Sequence, residues 1–168
     1  MPIYTPPLRD MQFVMHELLH VVDELAACPR HADVDEATMN AIVEEAGRFA
    51  AEVVFPLNAS GDLEGCALDR STRTVRTPRG FQEAYHKFIE GGWPALAVDP
   101  EYGGQGLPVV LNQCLYEMLN SANQAWAMYP GLSHGAYECL HAHGTDAQKA
   151  TYLPRLTSGE WMGTMCLT

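Results

Sequence analysis

A chain of 168 residues, 47% of them hydrophobic, is long and apolar enough for one domain with its own core, and too apolar for a disordered tail. Ten Lys and Arg stand against 21 Asp and Glu, a net charge of −11, and this excludes a nucleic-acid binder, which needs clustered positive charge. The longest uncharged run is broken by Asn and Gln, so no membrane span is expected, and MPIYTPPLRD lacks the basic-then-apolar pattern of a secretory leader. Five cysteines, an odd number with no C-x-x-C, fit free thiols in a reducing compartment, so a cytoplasmic protein is expected.

Prolines at positions 2, 6 and 7 make residues 1–7 an extended arm. From Leu8 to Ala27, apolar residues recur at three- and four-residue steps (Leu8, Met11, Met15, Leu18, Leu19, Val22, Leu25), which predicts one amphipathic helix ended by Cys28-Pro29. A cap at Asp33 or Asp35 opens a second helix running to about Phe55. Asn58 to Gly61 reads as a loop, and residues 62–76 as an exposed excursion with a short strand pair around Thr74-Val75. Thr77-Pro78 predicts the start of a third helix, stopped by Gly91-Gly92. Residues 93–106 form an irregular loop whose glycines, Gly103, Gly104 and Gly106, permit positive φ.

A fourth helix follows Leu107-Pro108 to about Ser121, and a fifth runs from about Trp126 to His143. Gly144 suits a left-handed helix end, and Thr145 with Gln148 makes a capping box for a sixth helix, which Pro154 should bend or end. From Trp161 the pattern changes to a largely buried strand, with Cys166 as an inert core thiol. The expectation is an all-α bundle of about six helices ending in a strand fragment that belongs to something else. Its parts are an N-terminal extension with one helix (1–34), a helical domain (35–159) and a strand fragment (160–168).

Two motifs invite metal chemistry. His16-Glu17-Leu18-Leu19-His20 matches H-E-x-x-H, in which two His one helical turn apart bind zinc and the Glu activates water. No third ligand follows at the usual spacing, and Glu36, Glu44 or Glu45 would serve only if the second helix crossed correctly. A solvated polar face is therefore expected, with no metal, and a zinc peptidase is the third choice of function. His134, Cys139, His141 and His143 form a looser cluster, but His141 and His143 are two apart and point about 200° away from each other on a helix.

The stretch Gly144-Thr-Asp-x-Gln-Lys, Tyr152-Leu-Pro-x-Leu, Ser158-Gly-Glu and Gly163-x-x-x-Leu167-Thr168 resembles the junction in acyl-CoA dehydrogenases where the helical domain hands over to the middle β-domain. Asp99-Pro-Glu-Tyr-Gly-Gly-Gln-Gly-Leu107 resembles the family's loop before its fourth helix. The first thirty residues look like the added segment of the longer bacterial members, among them the methylmercaptopropionyl-CoA dehydrogenases.

That resemblance implies an FAD-dependent enzyme. It converts an acyl-CoA thioester to a trans-2-enoyl-CoA, passes electrons to an electron-transfer flavoprotein and assembles as a homodimer or homotetramer. It implies flavin contacts at Met165, Leu167 and Thr168, with the Thr168 hydroxyl near flavin N5 and O4. It also implies an acyl-pocket wall at Ala127, Tyr129, Gly131 and Gly135, with Tyr137 helping to close it, although the same stretch reads equally as a plain packing face. The catalytic base belongs to segments outside these 168 residues, so none of the chain's own residues is expected to be catalytic and the fragment alone is expected to be inactive. A self-contained helical interaction module is the alternative from another class.

Overall fold

The computed structural model describes residues 3–165. Helices dominate: α1 (Leu8–Gln12), α2 (Val21–Ala26), α3 (Glu36–Phe49), α4 (Leu57–Glu64), α5 (Phe81–Glu90), α6 (Val109–His143) and α7 (Asp146–Thr157). A two-stranded antiparallel hairpin, β1 (Ala67–Asp69) and β2 (Thr74–Arg76), pairs Leu68 with Val75 and stands exposed, as the excursion around Thr74 predicts. The all-α expectation holds.

Several caps follow the local rules. Asp35 opens α3 by accepting from the Thr38 amide at 2.8 Å, and the Thr38 side chain, then that amide, hold its carboxyl below the usual carboxylate range. Thr145 and Gln148 form the reciprocal capping box of α7. Gly103 and Gly106 take positive φ (87° and 67°), and a Cβ at Gly104 would lie 2.0 Å from the Val98 carbonyl oxygen.

Elsewhere long-range packing overrides the pattern. The single helix expected over Leu8–Ala27 is three pieces. α1 runs on as a π-helical turn, Phe13–Leu18, and the chain breaks at His20, which is left-handed at φ 49° before α2 begins. Asn58–Gly61 is helical, not a loop, because the Phe81 ring packs 2.6 Å from where a Gly61 Cβ would stand and fastens α4 to α5. α5 starts at Phe81 after a left-handed Gly80, so Thr77-Pro78 precede it. As expected, the fourth and fifth helices are separated between Ser121 and Trp126: Asn123 is non-helical (φ −162°, ψ 88°), and the two halves on either side of this kink are described together as α6.

Gly144 is extended (φ −69°, ψ 151°) rather than left-handed. Glycine is needed there because a Cβ would meet the Leu140 carbonyl oxygen at 2.5 Å. Pro154 does not end α7; the carbonyl it leaves without a helical donor belongs to exposed Ala150, within reach of water.

One core joins α1, α3, α5 and α6. Met39, Val43, Ala50, Val54, Phe88, Leu115, Met118 and Leu119 are its most enclosed side chains. Met11 and Met15 enter the same core, and the Tyr4 hydroxyl donates to the Met118 carbonyl at 3.2 Å, so the N-terminal segment is seated on the bundle. Val98, Tyr137, Leu153 and Leu156 form a smaller core that holds α7 to α6.

Candidate functional site

The last described residues lie over the second half of α6. Gly159 reverses the chain at φ 73°. Trp161 leans on α7, with its amide bonded to the Arg155 carbonyl at 3.0 Å, the Arg155 guanidinium 4.5 Å from its ring and Tyr152 beside it. Gly163 donates from its amide to Ser133 Oγ at 3.1 Å. The buried strand expected from Trp161 is not formed among the described residues. These amides take partners from α7 and α6 rather than from a strand, and Thr164 and Met165 are exposed.

Beneath this segment runs a polar seam between α5, α6 and α7. It encloses about 20 Å³ among Tyr85, Tyr116, Ser133, His134, Tyr137 and Thr157, room for about one water molecule and far less than an acyl chain needs. The Tyr85 hydroxyl donates to the Gly159 carbonyl at 3.1 Å and lies 2.6 Å from Met162 Sδ; burial, then the neighbouring Tyr129, pushes its pKa up to about 12. Burial also pushes Tyr116 up, chiefly through desolvation. Both phenols stay neutral throughout the physiological range.

The predicted pocket residues do not share one surface. Ala127 is 1% exposed and packs into the main core, so it lines no opening. Tyr129 is 54% exposed and meets Tyr85 edge-on at 5.3 Å. Gly131 has only Tyr116 Cε1 near its missing Cβ, at 3.6 Å, and Gly135 has nothing within 4 Å. Tyr137 is buried and accepts from the Asp99 amide at 3.2 Å, so it ties down the glycine-rich loop. The open face of α6 is thus carried by Met128, Tyr129 and Gly135.

Of the predicted flavin contacts, Leu167 and Thr168 lie outside the described residues, as does Cys166. Met165 is 65% exposed, an uncovered thioether at the end of a pinned segment. A soft, polarizable thioether is a side chain that can lie against an aromatic ring.

The metal motifs fare differently. His20 leaves the helix in a left-handed turn, so His16 and His20 lose the one-turn spacing that H-E-x-x-H needs, and His16 Nε2 bonds Asn40 Oδ1 at 2.9 Å. His134 lies 3.2 Å from Asn112 Nδ2, while His141 stacks on Tyr137 and approaches Asp99 at 3.9 Å; the cluster is divided between two structural roles. Among the described residues no three His, Cys, Asp or Glu side chains come together as a metal site, and no helix is long and apolar enough to cross a membrane.

Sequence reasoning missed Ser133 and Tyr85 as site residues. Nothing local marks either one, and their partners lie 30 and 74 positions further along the chain.

Residues 35–160 match the family model described as acyl-CoA dehydrogenase, N-terminal domain. The chain is 38% identical over 165 residues to a 3-methylmercaptopropionyl-CoA dehydrogenase of Ruegeria pomeroyi, covering 98% of this chain and 28% of that protein. It is 30% identical over 165 residues to a broad-specificity linear acyl-CoA dehydrogenase of Mycobacterium tuberculosis (98% and 26%), and 29% identical over 169 residues to a butyryl-CoA dehydrogenase of Syntrophomonas wolfei (98% and 27%). The chain therefore spans just over a quarter of the length of these relatives.

Proposed function

Since the chain belongs to the acyl-CoA dehydrogenase family, we propose that it is the helical front domain of an FAD-dependent acyl-CoA dehydrogenase. The observation that carries this reading is the family match over residues 35–160, which stops where the chain turns onto α6. Bound FAD supplies the hydride acceptor for α,β-dehydrogenation of an acyl-CoA thioester to a trans-2-enoyl-CoA.

This chain's own part is positioning. Met165, Leu167 and Thr168 would hold one edge and face of the ring, and the Thr168 hydroxyl would donate a hydrogen bond near N5 and O4. Tyr129, Gly131 and Gly135 would wall the acyl chain on the exposed side of α6, where missing side chains leave room. The α-proton would go to a carboxylate elsewhere in a longer polypeptide; no Glu or Asp of this domain is assigned that role. Electrons would leave to an electron-transfer flavoprotein, from a homodimer or homotetramer in the cytoplasm.

The test is purification of the whole polypeptide that carries this domain, followed by anaerobic addition of short and medium acyl-CoA thioesters. The expected outcome is co-purified FAD whose visible absorbance bleaches on substrate addition. Polypeptide without flavin, or flavin that no acyl-CoA reduces, overturns the reading.

A further inference from the structure

Gly163 approaches α6 more closely than any side chain would allow. A Cβ there would stand 2.4 Å from Ala136 Cβ and 3.2 Å from the Leu132 carbonyl oxygen. At that contact Ser133 Oγ accepts from the Gly163 amide at 3.1 Å and lies 3.5 Å from Met162 Sδ, which the Tyr85 hydroxyl also contacts. The same Tyr85 hydroxyl reaches the Gly159 carbonyl, and a Cβ at Gly159 would strike Ile89 Cγ1 at 2.7 Å. Two glycines let the chain approach, and two hydroxyls fix it once there.

These contacts are directional, which apolar burial is not. Met165 follows Gly163 by two residues, so anchoring the Gly163 amide limits where Met165 can emerge. Ser133 also sits on the turn of α6 between Gly131 and Gly135, so one hydroxyl links the proposed pocket wall to the proposed flavin segment.

We propose that Ser133, seconded by Tyr85, is a positioning residue that sets the register of the flavin-contacting segment through the Gly163 amide and Met162. It touches neither flavin nor substrate, and the inference rests on the flavin reading above.

The experiment compares Ser133→Ala, Ser133→Thr and Tyr85→Phe in the flavin-loaded polypeptide. Three things are read: hydrogen exchange at the Gly163 amide, FAD affinity, and the reduction potential of the bound flavin. Ser133→Ala is expected to expose the Gly163 amide, to weaken FAD binding about five-fold, the effect of one lost hydrogen bond, and to move the potential. Ser133→Thr keeps the hydroxyl and is expected to restore all three. Tyr85→Phe is expected to move them in the same direction as Ser133→Ala, and it carries the test should Ser133→Ala not fold.

Wild-type affinity and potential in a variant whose Gly163 amide has become exposed would overturn the proposal, leaving the contact purely structural. An amide still protected in Ser133→Ala would overturn it as well. A wild-type polypeptide without FAD would sink the flavin reading instead, and the exchange measurement would still judge the clasp.

Discussion

The two halves of α6 differ in kind. From Val109 to Ala122 the helix buries Leu111, Cys114, Leu115, Met118, Leu119 and Ala122 against α3 and its π-helical end. This half contains no Gly or Pro. Beyond Asn123, the helix carries Pro130, Gly131 and Gly135, and it leaves Met128 and Tyr129 exposed. Each glycine costs about 1 kcal/mol of helix propensity relative to Ala, and a proline more. All three weak formers fall in the second half: Gly135 is exposed, Gly131 is half-buried and Pro130 is buried. One half holds the domain together, and the other is free to be shaped by what docks on it.

The largest expected blow to this contrast falls on the first half. Leu115 is fully buried, and Leu115→Ala should cost about 2–5 kcal/mol through lost transfer energy and the cavity left behind, read from urea or thermal unfolding. A loss under about 1 kcal/mol would mean the first half is not the keystone that its burial implies.

The join comes next. Asn123 Oδ1 accepts from the Trp126 amide at 3.1 Å, and its Nδ2 donates to the Val54 carbonyl at 3.4 Å, in a residue only 1% exposed. Asn123→Ala strands two buried backbone groups and should cost about 1–3 kcal/mol. Amide exchange should quicken mainly from Trp126 onward. Uniform quickening along α6 would show that the kink does not separate the halves.

The smallest effect sharpens the contrast most. Gly135 is exposed with nothing within 4 Å of its missing Cβ, so Gly135→Ala should stabilise the domain by about 0.5–1 kcal/mol. Under the proposed function, the added methyl should raise KM for bulky acyl-CoA substrates in the longer polypeptide while sparing short ones. Equal KM changes for all chain lengths would place the acyl chain elsewhere.

Features that depend on a few neighbouring residues were legible in the sequence: the Asp35 cap, the Thr145–Gln148 box, the hairpin near Thr74, the glycine loop at Gly103–Gly106 and the helical class itself. Each is decided by hydrogen bonds, φ preferences or apolar spacing within about one turn of chain, which residue order states directly. The break at His20, the helix at Leu57–Glu64, the passage of α7 through Pro154 and the docking of the chain's end on Ser133 were decided only by tertiary structure. In each of these the local preference is weak or contrary. Packing wins where its partner is distant: Phe81 against Gly61, Val54 against Asn123, Ser133 against Gly163. No spacing rule links such pairs until the chain has folded.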